Sequence, residues 1–151
     1  MTEILLEPIG KVINEINERQ RGMGEWGEVV SEIVIDEDLN EHLEGLEEFS
    51  HILIIFWMHK SPVTGSPPSK VHPRGRADLP LVGLFATRAP YRPNSLGVST
   101  VKLVERRGTI LTVKGLDALN DTPVIDIKPY MPPIDYPSEV RMPDWVKKLR
   151  A

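Results

Sequence analysis

Glycine and proline interrupt this chain so often that few stretches could become long helices, with eleven glycines and fourteen prolines among 151 residues. Between these breaks lie short runs rich in β-branched residues, which favour strands. Pro8 to Asn14 reads as a first strand, with Ile9, Val12 and Ile13 as its apolar positions. Asn14 to Gly27 reads as a long polar loop, and loops of that length in compact domains are usually functional or mobile. Glu28 to Ile35 reads as the next strand. Asp36 or Asp38 is placed to cap a short helix whose Leu39, Leu43 and Leu46 share one face.

Phe49 to Met58 is continuously apolar, the pattern of a strand buried on both faces. Its exit carries His59, which is either a structural histidine or a chemical one. Ser61 to Pro80 reads as an irregular loop bearing Lys70, His72, Arg74 and Arg76. Val98 to Glu105 and Thr109 to Lys114 read as two strands around Arg106-Arg107-Gly108, a turn that asks for glycine. Gly115 to Asp121 is a loop, Pro123 to Ile127 a final strand, and Pro143 to Arg150 one or two helical turns. The predicted class is all-β, a sandwich or barrel, in a single domain over residues 1–151 with one or two short helices.

The chemistry-bearing stretch is Gly83 to Ser99, GLFATRAPYRPNSLGVS. Leu84 and Phe85 are expected to open it as a strand. Pro90 and Pro93 fix their own φ and hold Ala89 and Arg92 extended. Arg88, Arg92 and Asn94 therefore project from a stiff loop, an arrangement suited to carboxylate or phosphate. The alternative is a proline-rich surface turn with solvated arginines. A second polar group is Asp126, Lys128 and Tyr130, which share one face if the segment stays extended. It is either a mutually satisfied buried ion pair beside a tyrosine hydroxyl or a working cluster.

Several functions are excluded. The chain has no cysteine, hence no disulfide and no thiolate site. His42, His51, His59 and His72 lack metal-ligand spacing, so no metal is expected. There is no G-x-G-x-x-G, no phosphate-cradling P-loop and no nucleophile elbow. No apolar run has membrane-spanning length and MTEILLEP is no signal peptide, so a cytoplasmic protein is expected. Net charge is −4, yet Gly22 to His59 holds ten acidic residues and no Lys or Arg, while Lys60 to Ala151 holds fifteen basic and eight acidic. That segregation permits a basic face on an acidic protein.

The GLFATRAPYRPNSLG run resembles the signature of the TsaA-like family, G-x-F-A-T-R-x-P-x-R-P-N-P-I-G, departing from it only at Ser95 and Leu96. Pro8-Ile9-Gly10, FSHILIIFWMHK at Phe49 to Lys60, and LDALNDTPVIDIKPY at Leu116 to Tyr130 match in order. Asn120-Asp121 stands where the family usually has Asp-Gly. The resemblance implies a small, mainly antiparallel β-barrel that pairs as a homodimer. It implies methyl transfer from S-adenosyl-L-methionine to N6 of threonylcarbamoyladenosine beside the tRNA anticodon. The alternatives are a non-catalytic module binding that cofactor or a nucleotide, and a methyltransferase with another substrate.

Carried over by position, the resemblance assigns the cofactor to Arg19, Gln20, Met58, His59, Arg88, Val98, Leu116 and Asp117. Arg92, Asn94 and Lys128 fall to the substrate, and Asp126, Tyr130 and His59 are the candidate bases. Bacterial relatives carry a further C-terminal domain. A chain that stops after the core is expected to grip tRNA through the Lys60 to Arg76 loop, its basic tail or a second protomer.

Overall fold

The computed structural model describes residues 2–18, 26–60 and 65–149. In chain order the strands are β1 (Gly10–Ile13), β2 (Val30–Ile35), β3 (His51–Trp57), β4 (Lys70–Val71), β5 (Val82–Gly83), β6 (Leu96–Arg107), β7 (Ile110–Lys114) and β8 (Pro123–Pro129). Two short helices, α1 (Pro132–Asp135) and α2 (Trp145–Lys148), follow. The chain divides into two compact units, one of residues 1–59 and 96–131, the other of residues 60–95 and 132–151.

The first unit is a closed antiparallel barrel in the order β1-β2-β7-β6-β3-β8. Its core is aliphatic, with Val12, Ile33, Ile52, Ile54, Leu111 and Val124 all at 0% exposure. The helical segment after β2 is 3-10 rather than α, Glu37–Leu43 and then Leu46–Glu48, but it lays Leu43 in the core and Leu39 and Leu46 against it. Asp36 occupies the N-cap without a side-chain capping bond.

Two glycines are required by close approach. A side chain on Gly10 would run into the Val34 carbonyl of β2, so β1 pairs at this spacing only with glycine there. A Cβ on Gly97 would lie 2.6 Å from the ring of Phe56, itself only 4% exposed. Gly97 thus lies inside β6, where the ring of the neighbouring strand fills the place of a side chain. Gly108, at φ +60, makes the β6–β7 turn as expected.

Three sequence expectations need correction. β3 is not equally buried on both faces: Ile52, Ile54 and Phe56 are buried, while Leu53, Ile55 and Trp57 are intermediate. Barrel strands have an inside and an outside, and this run is apolar on both. Leu84 and Phe85 are not in a strand; the strand is Val82–Gly83, and Leu84–Ala86 is a 3-10 turn closed by Thr87 N donating to the Leu84 carbonyl. The Asp126–Lys128 pair is not buried, its side chains being 50% and 63% exposed.

The second unit holds the β4–β5 ribbon, with Lys70 opposite Gly83 and Val71 opposite Val82. Its C-terminal helix is tied to the ribbon loop: Arg76 donates to the Lys148 carbonyl and Arg74 to the Leu149 carbonyl, both at 2.6 Å. Charge follows the division. The barrel residues carry eighteen acidic and eight basic side chains, the second unit four acidic and ten basic.

Candidate functional site

Strand register decides which predicted residues share a place. β3 pairs with β6 from His51 opposite Lys102 to Trp57 opposite Leu96, and with β8 from Ile52 opposite Pro129 to Phe56 opposite Val124. The end of β3, the start of β6 and the start of β8 therefore meet at one rim of the barrel. β1 adds its end there, with Lys11 opposite Pro123, and β7 its end, with Lys114 opposite both Val30 and Lys102. Met58 and His59 leave β3 at this rim, Val98 lies two residues into β6, and Leu116 and Asp117 follow β7. Five cofactor candidates separated by up to about 60 residues of sequence are gathered by topology alone.

The loop from β7 to β8 is held firmly. Gly115, at φ +96, donates to the Val29 carbonyl at 2.9 Å. The Asn14 amide reaches the Ala118 carbonyl at 2.9 Å and the buried Ser31 hydroxyl at 3.0 Å, while its backbone N–H donates to the Asn120 side chain. Asp121 adopts φ +67, the left-handed conformation that suits the glycine of the family pattern. It is held there by its N–H donating to the Val12 carbonyl at 2.7 Å. The substitution therefore leaves the turn standing. Asn14 and Asn120 were not singled out from the sequence; a polar residue directly after an apolar strand was the available signal.

The placed candidates differ in exposure. The Leu116 side chain is 0% exposed in the core, so only its backbone can face a ligand, whereas Asp117 is exposed and Met58 half-buried. Lys114 forms a 2.8 Å ion pair with Glu28 at the same rim, and this hydrogen bond and charge hold the Glu28 carboxyl below its ordinary value. Nearby, an open cavity of about 590 Å³ is lined by residues including Ile13, Asn14, Val30 and Thr112. Arg19 and Gln20 lie outside the described residues.

The three candidate bases are not brought together. Asp126 sits opposite Ile55 and Lys128 opposite Leu53, on the outer face of the barrel, with their ion pair at 3.0 Å. Tyr130 follows the far end of β8, its N–H donating to the His51 carbonyl and its ring meeting His51 edge-on at 6.4 Å. Trp57 lies six residue steps along the strand from His51, roughly 20 Å. Only His59 is at the rim.

Arg88, Arg92 and Asn94 belong to the second unit. Arg88 and Asn94 are exposed. One Arg92 guanidinium nitrogen donates to the Thr87 and Ala89 carbonyls at 3.0 and 3.1 Å. Among the described residues no group of three or more His, Asp or Glu is arranged to hold a metal ion, and no helix is long and apolar enough to cross a membrane.

A closed six-stranded antiparallel barrel with five of its candidate residues at one rim is the class of rigid scaffold that carries binding sites on its loops. Residues 16–136 match the family described as the tRNA-methyltransferase O N-terminal domain, and the chain belongs to that family. It is 42% identical over 135 residues to a probable S-adenosyl-L-methionine-binding protein of Methanothermobacter thermautotrophicus, covering 88% of this chain and 94% of the relative. It is 41% identical over 112 residues to a mouse tRNA (adenine(37)-N6)-methyltransferase, covering 74% of this chain and 26% of that protein. Among solved structures, TrmO from Pseudomonas aeruginosa superposes with a TM-score of 0.73 at 29% identity, over 93% of this chain and 62% of that one. The chain thus spans less than two thirds of these last two proteins.

Proposed function

We propose that the chain is an S-adenosyl-L-methionine-dependent methyltransferase acting on N6 of threonylcarbamoyladenosine beside the tRNA anticodon. The observation that carries this reading is the convergence of Met58, His59, Val98, Leu116 and Asp117 on one barrel rim, in a chain of this family. These residues suit the cofactor. The exposed Asp117 carboxylate accepts hydrogen bonds from ribose hydroxyls, Met58 offers an apolar wall, and backbone groups at Leu116 read an adenine edge.

When bound, the cofactor supplies an already activated methyl group. The chain's own task is to hold the acceptor nitrogen in line with it, a matter of proximity and orientation. The proton leaving N6 needs only a modest base, because a carbamoylated amine is more acidic than a plain one. His59 is the base we favour for its place at the rim, since Asp126 sits on the outer face and Tyr130 follows the opposite end of β8.

The ten basic side chains of the second unit support a polyanionic substrate. Affinity for tRNA is then expected to fall linearly with the logarithm of salt concentration. We further propose a cytoplasmic homodimer in which a second copy covers the exposed Leu96 of β6. Sedimentation of the purified chain tests this, a monomer with or without Leu96→Lys standing against it. The Methanothermobacter relative, named only for cofactor binding, favours a second reading as a non-catalytic binding module. Calorimetric titration with S-adenosyl-L-methionine tests what both readings share. A single saturable site is expected, weakened about tenfold or more by Asp117→Ala. No binding by the intact chain would end both.

A further inference from the structure

We propose that Phe85 and Arg92 form a stacking plate for an unpaired base of single-stranded RNA; the proposal rests on the tRNA reading above. Phe85 is 77% exposed, although its neighbour Leu84 is 5% exposed and anchors the turn. The backbone forces this outcome. Leu84 N donates to the Ser69 carbonyl at 3.0 Å, and the Leu84 carbonyl accepts from both the N–H and the hydroxyl of Thr87. With Leu84 turned inward on a 3-10 turn, the next side chain points out.

The exposed ring is not left unsupported. The Arg92 guanidinium lies 5.7 Å from its centroid, within cation–π range. Arg92 is fixed there by its two bonds to the Thr87 and Ala89 carbonyls, and Ala89 N in turn donates to the Thr87 hydroxyl at 3.3 Å. A flat cation is thus held over a flat apolar ring, backing it, before any ligand arrives.

The surroundings select the occupant. Residues 60–95 carry six basic side chains and one acidic, Asp78, whose two carboxylate oxygens are already bonded by Arg76. A bare aromatic ring in a basic segment suits a ligand with a π-face and a phosphate backbone, which an unstacked nucleotide has. An apolar protein partner would use the ring but not the net positive charge of the segment.

The test uses the full chain and a hairpin RNA with an unpaired loop, with 2-aminopurine placed at each loop position in turn. Phe85→Ala is expected to weaken binding between about 5- and 150-fold, the range for one stacked base. Phe85→Trp should bind as the native chain does, and quenching should mark one loop position and vanish in Phe85→Ala. An abasic nucleotide at that position should remove the difference between native and Phe85→Ala. Cofactor affinity should stay unchanged. Native-like RNA binding and methyl transfer by Phe85→Ala would overturn the plate while leaving the tRNA reading intact. RNA ignored by the native chain would remove both. A changed monomer–dimer equilibrium in Phe85→Ala with RNA affinity intact would make the ring a protein contact and overturn the proposal.

Discussion

Gly97→Ala is the sharpest test of why the signature stretch ends as it does. The new methyl would lie 2.6 Å from Cε2 and Cζ of Phe56 and 3.2 Å from Cδ2. Ordinary carbon contacts need about 3.5–4.0 Å, so the ring must retreat by about 1 Å. It is 4% exposed and shares a core with Ile52, Ile54 and Val124, so it cannot swing aside freely. Overpacking of this kind costs typically about 1–3 kcal/mol. Against it stands about 0.5–1 kcal/mol gained when alanine replaces glycine in a strand. Strain wins, with a net loss of about 1–2 kcal/mol. For a chain of this length that is a Tm fall of roughly 2–8 °C. Denaturant unfolding should give the same loss, and in a Phe56→Leu background the added cost of Gly97→Ala should disappear. An unchanged Tm, or equal losses in both backgrounds, would refute the packing account of Gly97.

Other consequences follow from the same geometry. Gly10→Ala should cost more than Gly97→Ala, because its methyl meets the Val34 backbone rather than a side chain; equal midpoints in urea would contradict this. Asp121→Val should destabilise by about 1–2 kcal/mol, since a β-branched residue resists φ +67, while Asp121→Gly should be tolerated; comparison of their unfolding curves decides. Lys114 lowers the Glu28 carboxyl, and the Glu47 backbone N–H, then Arg106, lower that of Glu47. Both contributions are complete above the ordinary value of 4.5 and are lost as pH falls through the lowered folded values. The loss is small because both carboxylates are exposed, and Lys114→Met should flatten part of it in a Tm series from pH 6 to 2. Arg88→Ala should weaken cofactor binding, because its guanidinium suits the carboxylate of the cofactor's methionine, and full affinity in calorimetry would remove Arg88 from the cofactor residues.

Much of the barrel was legible because its strands are short, apolar and separated by glycine or proline. The Phe49 to Met58 run, of which His51–Trp57 is the strand, and the hairpin around Gly108 were both legible as strands. The length of β6 was not: its twelve residues serve two partners in succession, β3 up to Lys102 and β7 from there on, with a register shift between Leu103 and Glu105. Periodicity within a strand says nothing about a change of neighbour. The 3-10 turn at Leu84 escaped for a related reason, since two apolar residues after a glycine look alike in a strand and in a turn that hides one of them. For the site, alternation correctly put Asp126 and Lys128 on one face, but it could not say that the face is the outer one. Nor could it say that Tyr130 follows the strand end opposite His59. Those facts belong to register, which arises from pairing between distant segments.

The central claim is tested most directly by methyl transfer. The purified chain would be incubated with methyl-labelled S-adenosyl-L-methionine and total tRNA, from cells with and without the threonylcarbamoyl modification. Label entering only the modified pool is the predicted result. Label in neither pool, from protein shown to bind the cofactor, would contradict the account.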